Sequence, residues 1–311
     1  MSITSFYKSD VISSLKPILK ILARGPARIF SLFIILLYVV LGIGVVVGFI
    51  PSLPPYKGGL EYVYQPPSTR DFPWYILGTE YTGRPLLLTL IHGIPKALSI
   101  AFLAAIITVS VGMVLGLAAG YIGGWVDEAI SVAINIALTI PTYLLALIIL
   151  MVIPEELKQN IFILAGILSI TAWASLARAV RAQTLSLKRR EFVDVAKTLG
   201  FSTWKIIFGE IIRFIAPFLA MNLVLGMVGA IYGYTGLAFL GFMPMTPDNW
   251  GVQIYMAIRG GGALYSDKAI LALWSPIITI VLLQYALINI ADALGEVFNP
   301  ALRIGLRGEE T

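Results

Sequence analysis

Residues 177–210 read ARAVRAQTLSLKRREFVDVAKTLGFSTWKIIFGE, a polar stretch set between long apolar runs. With Arg213 just beyond it, the stretch carries eight basic residues: Arg178, Arg181, Lys188, Arg189, Arg190, Lys197, Lys205 and Arg213. Over residues 191–199 the spacing predicts a helix. Phe192, Val195, Ala196 and Leu199 fall at i, i+3, i+4 and i+7 on one face, with Glu191, Asp194, Lys197 and Thr198 on the other. Gly200 can take φ > 0 and end that helix. A second amphipathic piece over residues 202–210 opens with Ser202 as its N-cap. The pattern predicts two short helices meeting at a glycine, on a basic loop between two membrane spans. Basic residues are common in any cytoplasmic loop, so the stretch also fits a loop whose only role is topological.

Composition sets the class. Of 311 residues, 58% are hydrophobic and 13% charged, and the mean hydropathy is +0.89. A soluble domain of this size needs far more surface charge, so the chain is read as an all-α membrane protein of several spans. It has no cysteine and one histidine, His92, which excludes thiol chemistry and a multi-histidine metal site within the chain. No basic patch interleaved with aromatics suggests a nucleic-acid partner.

Six apolar runs follow in order. Residues 1–28 are basic and amphipathic, expected to lie on the inner membrane surface. Residues 29–50 are long enough for a first span, and 51–96 are expected as an external loop rich in proline and tyrosine. The second span, 98–121, carries Gly112, Gly116 and Gly120 at a spacing that allows close helix packing, within the chain or between subunits. The third, 129–153, is expected to bend at Pro141, between Thr139 and Thr142. The fourth, fifth and sixth cover about 161–177, 214–234 and 270–290, with 251–268 expected as a polar external loop. Residues 97–295 thus form a five-helix core with the basic loop at 178–210, and 296–311 a short tail. Five basic residues precede residue 29, eight belong to the loop and two to the tail, against seven in the remaining segments. That bias predicts both termini on the cytoplasmic side.

None of these spans has an ionisable residue in its interior. Asn135, Thr139, Asn222, Tyr232 and Asn289 are among the mild polar side chains there. Ion-driven carriers keep intramembrane charges for function, and no G-x-x-x-x-G-K-[ST] phosphate loop occurs. Energy is therefore expected from another chain, and the amphipathic 191–200 helix is a suitable dock for it. A passive channel and a non-transporting assembly subunit remain as alternatives.

Asp194, Val195, Ala196 and Gly200 occupy the positions of the Glu-Ala-Ala-x-x-x-Gly element found in the EAA loop of ABC importer permeases. LGTEYTGRP at 77–85, GLAAGYIGGWVDE at 116–128 and LAFLGFMPMTPDNWG at 237–251 resemble signatures of the peptide/nickel branch. The chain thus resembles the C-type permease subunit of that branch, over about residues 15–304. Departures are Asp194 for Glu, Val195 for Ala, Arg213 for the usual proline, and Glu80 and Pro85 for two aspartates. The resemblance implies a type I importer permease fold of six transmembrane helices in the cell membrane, with a cytoplasmic coupling helix. It further implies a related B-type permease as partner, two ATP-binding subunits that hold ATP and Mg, and an external substrate-binding protein. Glu191, Phe192, Asp194, Val195, Ala196, Leu199 and Gly200 would couple to an ATPase subunit. Gly78, Thr79, Glu80, Tyr81, Gly83 and Arg84 would meet the binding protein. Asn135, Thr139, Pro141, Asn222 and Tyr232 would line the path. Cargo in this branch includes peptides, nickel and oligosaccharides; uncharged spans suit a neutral sugar.

Overall fold

The computed structural model describes residues 25–56, 59–69, 71–265 and 267–298. Helix α1, Pro26–Val46, starts with proline at its first position, where the missing N–H is not needed. Helix α2, Leu86–Ile122, is 37 residues long. Helices α3, Gly124–Thr139, and α4, Thr142–Val152, meet at 76°, and α5, Ile161–Ser169, meets α6, Trp173–Leu187, at 56°. The short α7 is Glu191–Thr198. Helix α8, Thr203–Phe239, includes a π turn at Ile206–Ile211. Helices α9, Trp250–Arg259, and α10, Ile270–Phe298, complete the chain. By length and composition α1, α2, α8 and α10 each suffice to cross a membrane, and counting each bent pair as one span brings the total to six.

Several expected boundaries move. The external loop expected to reach residue 96 ends at Leu86, because Leu86, Leu88, Leu90, Ile91 and Ile94 are buried and extend α2 beyond the apolar run. The loop expected over 251–268 contains α9. Asn249 caps that helix through hydrogen bonds from the N–H groups of Gly251 and Val252 at 3.0 and 3.4 Å. Trp250, Val252 and Ala257 turn into the core, and Trp250 Nε1 donates to Leu90 O at 2.9 Å. Ser202 caps its helix as expected, but the 202–210 piece is the first part of α8, not a separate helix.

The fourth span also runs on to Leu187, so Arg178 and Arg181 lie on a helix and the loop is shorter than 178–210. The bent spans therefore do carry charge: Arg178 and Arg181 on α6, Asp127 and Glu128 on α3. At the chain's far end, α10 extends past the expected start of the tail, and Glu296 accepts a hydrogen bond from Arg28 on α1. The amphipathic 1–28 segment up to residue 24, and the tail from residue 299, lie outside the described residues.

Helix α2 is the central post, with α1, α5, α6, α8 and α3 around it. Its glycines at 112, 116 and 120 face α6. A Cβ on Gly112 would lie 3.0 Å from Leu176 Cβ, on Gly116 2.6 Å from Val180 Cβ, and on Gly120 2.6 Å from Thr184 Cβ. The small-residue stripe thus serves packing within the chain. One core cluster fills the bundle, with Ile100, Leu164, Ile231, Trp250 and Leu283 at its centre. A second joins α2, α6, α7 and α8 near the polar loop, through Leu117, Val180, Val193, Ile207 and Ile211.

Candidate functional site

The polar loop folds into a short helix and a closing turn packed on the bundle. Helix α7 has Glu191 and Asp194 in its first turn and Lys197 in its last, charges that match the helix dipole. Gly200 takes φ +76° and ends the helix. Its N–H bonds Lys197 O at 2.9 Å, and the Phe201 N–H bonds Ala196 O at 3.1 Å, the paired closure of a Schellman turn.

The four-residue apolar face expected for α7 is divided. Val193 and Ala196 are buried in the second core cluster, and Phe192 is half-buried with its ring stacked on Phe214 at 4.8 Å. Val195 and Leu199 point outward, 58% and 67% exposed. The reason is that α7 has two overlapping apolar stripes, and α2, α6 and α8 cover the one holding Val193. Close by in sequence, Trp204 stacks on Phe208 at 5.9 Å, and both rings are exposed. Glu191 and Asp194 are exposed as well, Asp194 paired with Lys197 at 3.0 Å.

A second region lies where the two bent spans break. Pro141 stands at the break of the first, and Thr142 just after it faces Thr171 at the break of the second, their hydroxyl oxygens 2.6 Å apart. Beside them is a cavity of about 320 Å³ lined by Thr108, Thr142, Ser175 and Asn222 among leucines, alanines and glycines. A second cavity of about 310 Å³ shares Thr142, Leu168 and Gly229 with it and adds Tyr143 and Tyr232. Asn222, Gly229 and Tyr232 thus share one face of α8. Asn222 Nδ2 donates to Phe218 O at 2.8 Å. Asn135 and Thr139 do not line either cavity: Thr139 donates to Ile136 O at 2.7 Å, and Asn135 Oδ1 accepts from Arg178 Nη2 at 2.8 Å. Thr142, Thr171, Ser175 and Arg178 are not among the site residues that the sequence points to. Thr171, Ser175 and Arg178 stand at i, i+4 and i+7, a polar stripe that the sequence already contains.

At the opposite end, residues 78–84 form a knot against the chain itself. Thr79 Oγ1 donates to Tyr62 O at 2.7 Å and accepts from Gln65 N at 2.8 Å. The Glu80 carboxylate is 1% exposed and accepts from the N–H groups of Thr82 and Arg84, at 2.9 and 3.2 Å, and from the Thr82 hydroxyl. Burial pushes the Glu80 carboxyl above its ordinary value of 4.5, opposed by the hydrogen bonds from Thr82 and Arg84 and by the Arg84 charge. Arg84 Nε donates to Pro54 O at 2.6 Å. Gly78, with φ +78°, passes so close to Gln65 that a Cβ would lie 2.1 Å from its carbonyl oxygen. Gly78, Thr79 and Glu80 are buried, while Tyr81, Gly83 and Arg84 are half-buried, and the Tyr81 hydroxyl is enclosed. Most of this segment is therefore internal support.

Comparison with known proteins gives one consistent result. Residues 112–304 match the family described as the binding-protein-dependent transport system inner membrane component. The oligopeptide transport system permease protein OppC of Mycobacterium bovis is 30% identical over 263 residues, covering 83% of this chain and 87% of that one. OppC of Lactococcus lactis subsp. cremoris is 31% identical over 225 residues, 72% of this chain and 74% of its own. The dipeptide transport system permease protein DppC of Bacillus subtilis is 30% identical over 286 residues, 91% and 84% respectively. With its helical membrane bundle and a match over most of its length, the chain belongs to the binding-protein-dependent inner membrane components, a multi-pass permease of the ABC peptide importer family.

Proposed function

We propose that this chain is the C-type permease subunit of an ATP-driven importer, forming half of a translocation path with a related B-type permease. An external binding protein delivers the cargo, and two ATPase subunits bind ATP and Mg and carry out the hydrolysis, so this chain performs no covalent chemistry. Both termini lie in the cytoplasm in this reading. The names of the relatives favour peptides as cargo over oligosaccharides.

The observation that carries the proposal is the division of α7. Val193 and Ala196 anchor the helix to the bundle, while Val195 and Leu199 stay out in the solvent-facing loop. Exposed apolar side chains on a rigid, charged helix fit burial in a partner's groove, where a side chain as large as leucine is worth roughly 1.5–3 kcal/mol. Closure of the ATPase dimer would move α7 as a rigid body and, through Val193, Ile207 and Ile211, move α8. Glu191 and Asp194 would meet the rim of the groove, and Gly200 would fix the exit turn. Asn222 and Tyr232, on the cavity face of α8, line the path, with Pro141 at its hinge and Asn135 and Thr139 near it. The surface above the 78–84 knot is where the binding protein docks, with Gly83 and Arg84 nearest it.

The test uses the complex of both permeases, both ATPase subunits and the binding protein in lipid vesicles. Val195→Asp and Leu199→Asp are expected to leave the permease folded but to release the ATPase subunits on affinity purification and stop ATP-dependent uptake. Val193→Asp should instead destabilise the permease itself. Retention of the ATPase subunits and wild-type uptake in both outward variants would overturn the proposal.

A further inference from the structure

Arg178 is the one cation of the bent spans that stands apart from the paired charges. Its neighbour Arg181 grips Asp127. Arg178 is exposed, and among the described residues it makes a single hydrogen bond, to the neutral amide oxygen of Asn135 at 2.8 Å. It sits on α6 nine residues before Leu187, about 13 Å from that helix end. The exposed side chains around Asn135 on α3 include Val132, Ile136, Leu138 and Thr139, none of them charged. A guanidinium cannot shed its proton, and within a membrane span a charge is kept only in a water-filled path or against an opposite charge. Arg178 is also one turn from Ser175, which lines the cavity with Thr142 and Asn222, and shares the stripe begun by Thr171.

We propose that Arg178 is the anion-recognising residue of the translocation path and binds the carboxylate of the cargo as it leaves the cavity. The inference rests on the transport reading above. A guanidinium fork matches a carboxylate in two parallel hydrogen bonds, and a single amide oxygen satisfies only part of it. Asn135 holds the fork in position while the path is empty and yields when a stronger acceptor arrives. The cargo class is a short peptide with a free C-terminal carboxylate. A neutral sugar would leave the charge unmatched, which reverses the preference that uncharged spans suggest.

The experiment compares a short alanine peptide with its C-terminal amide, in vesicles holding the full complex, for the wild type and for Arg178→Gln and Arg178→Lys. Arg178→Gln should lower uptake of the free acid about tenfold, the scale of one charge-assisted hydrogen bond, and leave the amide within about twofold. Arg178→Lys keeps the charge without the fork and should retain preference for the acid at a reduced rate. It carries the test if the glutamine variant fails to assemble. Equal losses for acid and amide, or unchanged uptake of both, overturn the proposal and would fit an Arg178 that pairs with the second permease. Failure of the wild type to take up either peptide with ATP would instead sink the transport reading itself, and this inference with it.

Discussion

The Arg181 guanidinium holds the Asp127 carboxylate with two nitrogens, Nη2 to Oδ2 at 2.6 Å, and so ties α6 to the first turn of α3. The pair spans the corner between two bent spans, near the end of the bundle that carries α7. Asp127 also accepts from Ser131 at 3.2 Å. Removing either partner alone leaves a charge facing its empty place. The double-mutant cycle of Asp127→Asn and Arg181→Gln, read as thermal unfolding in lipid discs, should give a coupling of about 1 kcal/mol, since both groups are partly solvated. Strict additivity would mean that the pair holds nothing.

Gly116 tests the central helix contact. An added Cβ meets both Val180 Cβ at 2.6 Å and the Ala177 carbonyl oxygen at 2.7 Å. Gly116→Ala must therefore push α6 from α2, at a cost of about 1–3 kcal/mol. Gly166→Ala in α5, where no atom lies within 4 Å of the new Cβ, should be neutral or stabilising by up to about 1 kcal/mol. Equal melting of the two variants would contradict the packing described here.

Gly200 separates conformational strain from steric clash. No heavy atom lies within 4 Å of a Cβ built there, yet φ is +76°. Gly200→Ala should cost about 1–2 kcal/mol by the left-handed conformation alone, and Gly200→Asn less, because asparagine tolerates that region. In the complex, Gly200→Asp should leave the permease inserted while abolishing substrate-stimulated ATP hydrolysis. Wild-type hydrolysis in the Asp variant would show that the exit turn of α7 has no part in coupling.

Glu80 makes the far end pH-sensitive. Burial raises its folded-state pKa above the ordinary 4.5. Its contribution is thus fully favourable below the unfolded value and is lost as pH rises through the folded one. The difference in melting temperature between wild type and Glu80→Gln should move in favour of the wild type as pH falls from neutral towards 4.5. A difference that stays flat, or moves the other way, would show that the carboxyl is not protonated more readily in the fold.

Much of this architecture is local and was legible in the sequence. Apolar runs marked six crossings because only a helix satisfies its own backbone in lipid. Pro141 marked a bend, now 76°, because it lacks an N–H; Gly200 marked a helix end because only glycine takes its turn cheaply. Burial, by contrast, is a relation between elements. Residues 86–96 read as the end of a loop with His92 and Pro95, and 251–259 as part of a polar loop with Gln253, yet both are helical and Trp250 Nε1 meets Leu90 O across the bundle. Helix α7 carries two apolar stripes, and its own letters cannot choose between them. The walls of α2, α6 and α8 cover Val193 and leave Val195 out. Arg178 reads as one more loop cation until α6 extends past the apolar run and sets it against Asn135, a partner 43 residues away in the chain. Periodicity determined which segments are helices and where they can break; the packing of α2 against its neighbours decided which side chains remain free to meet another molecule.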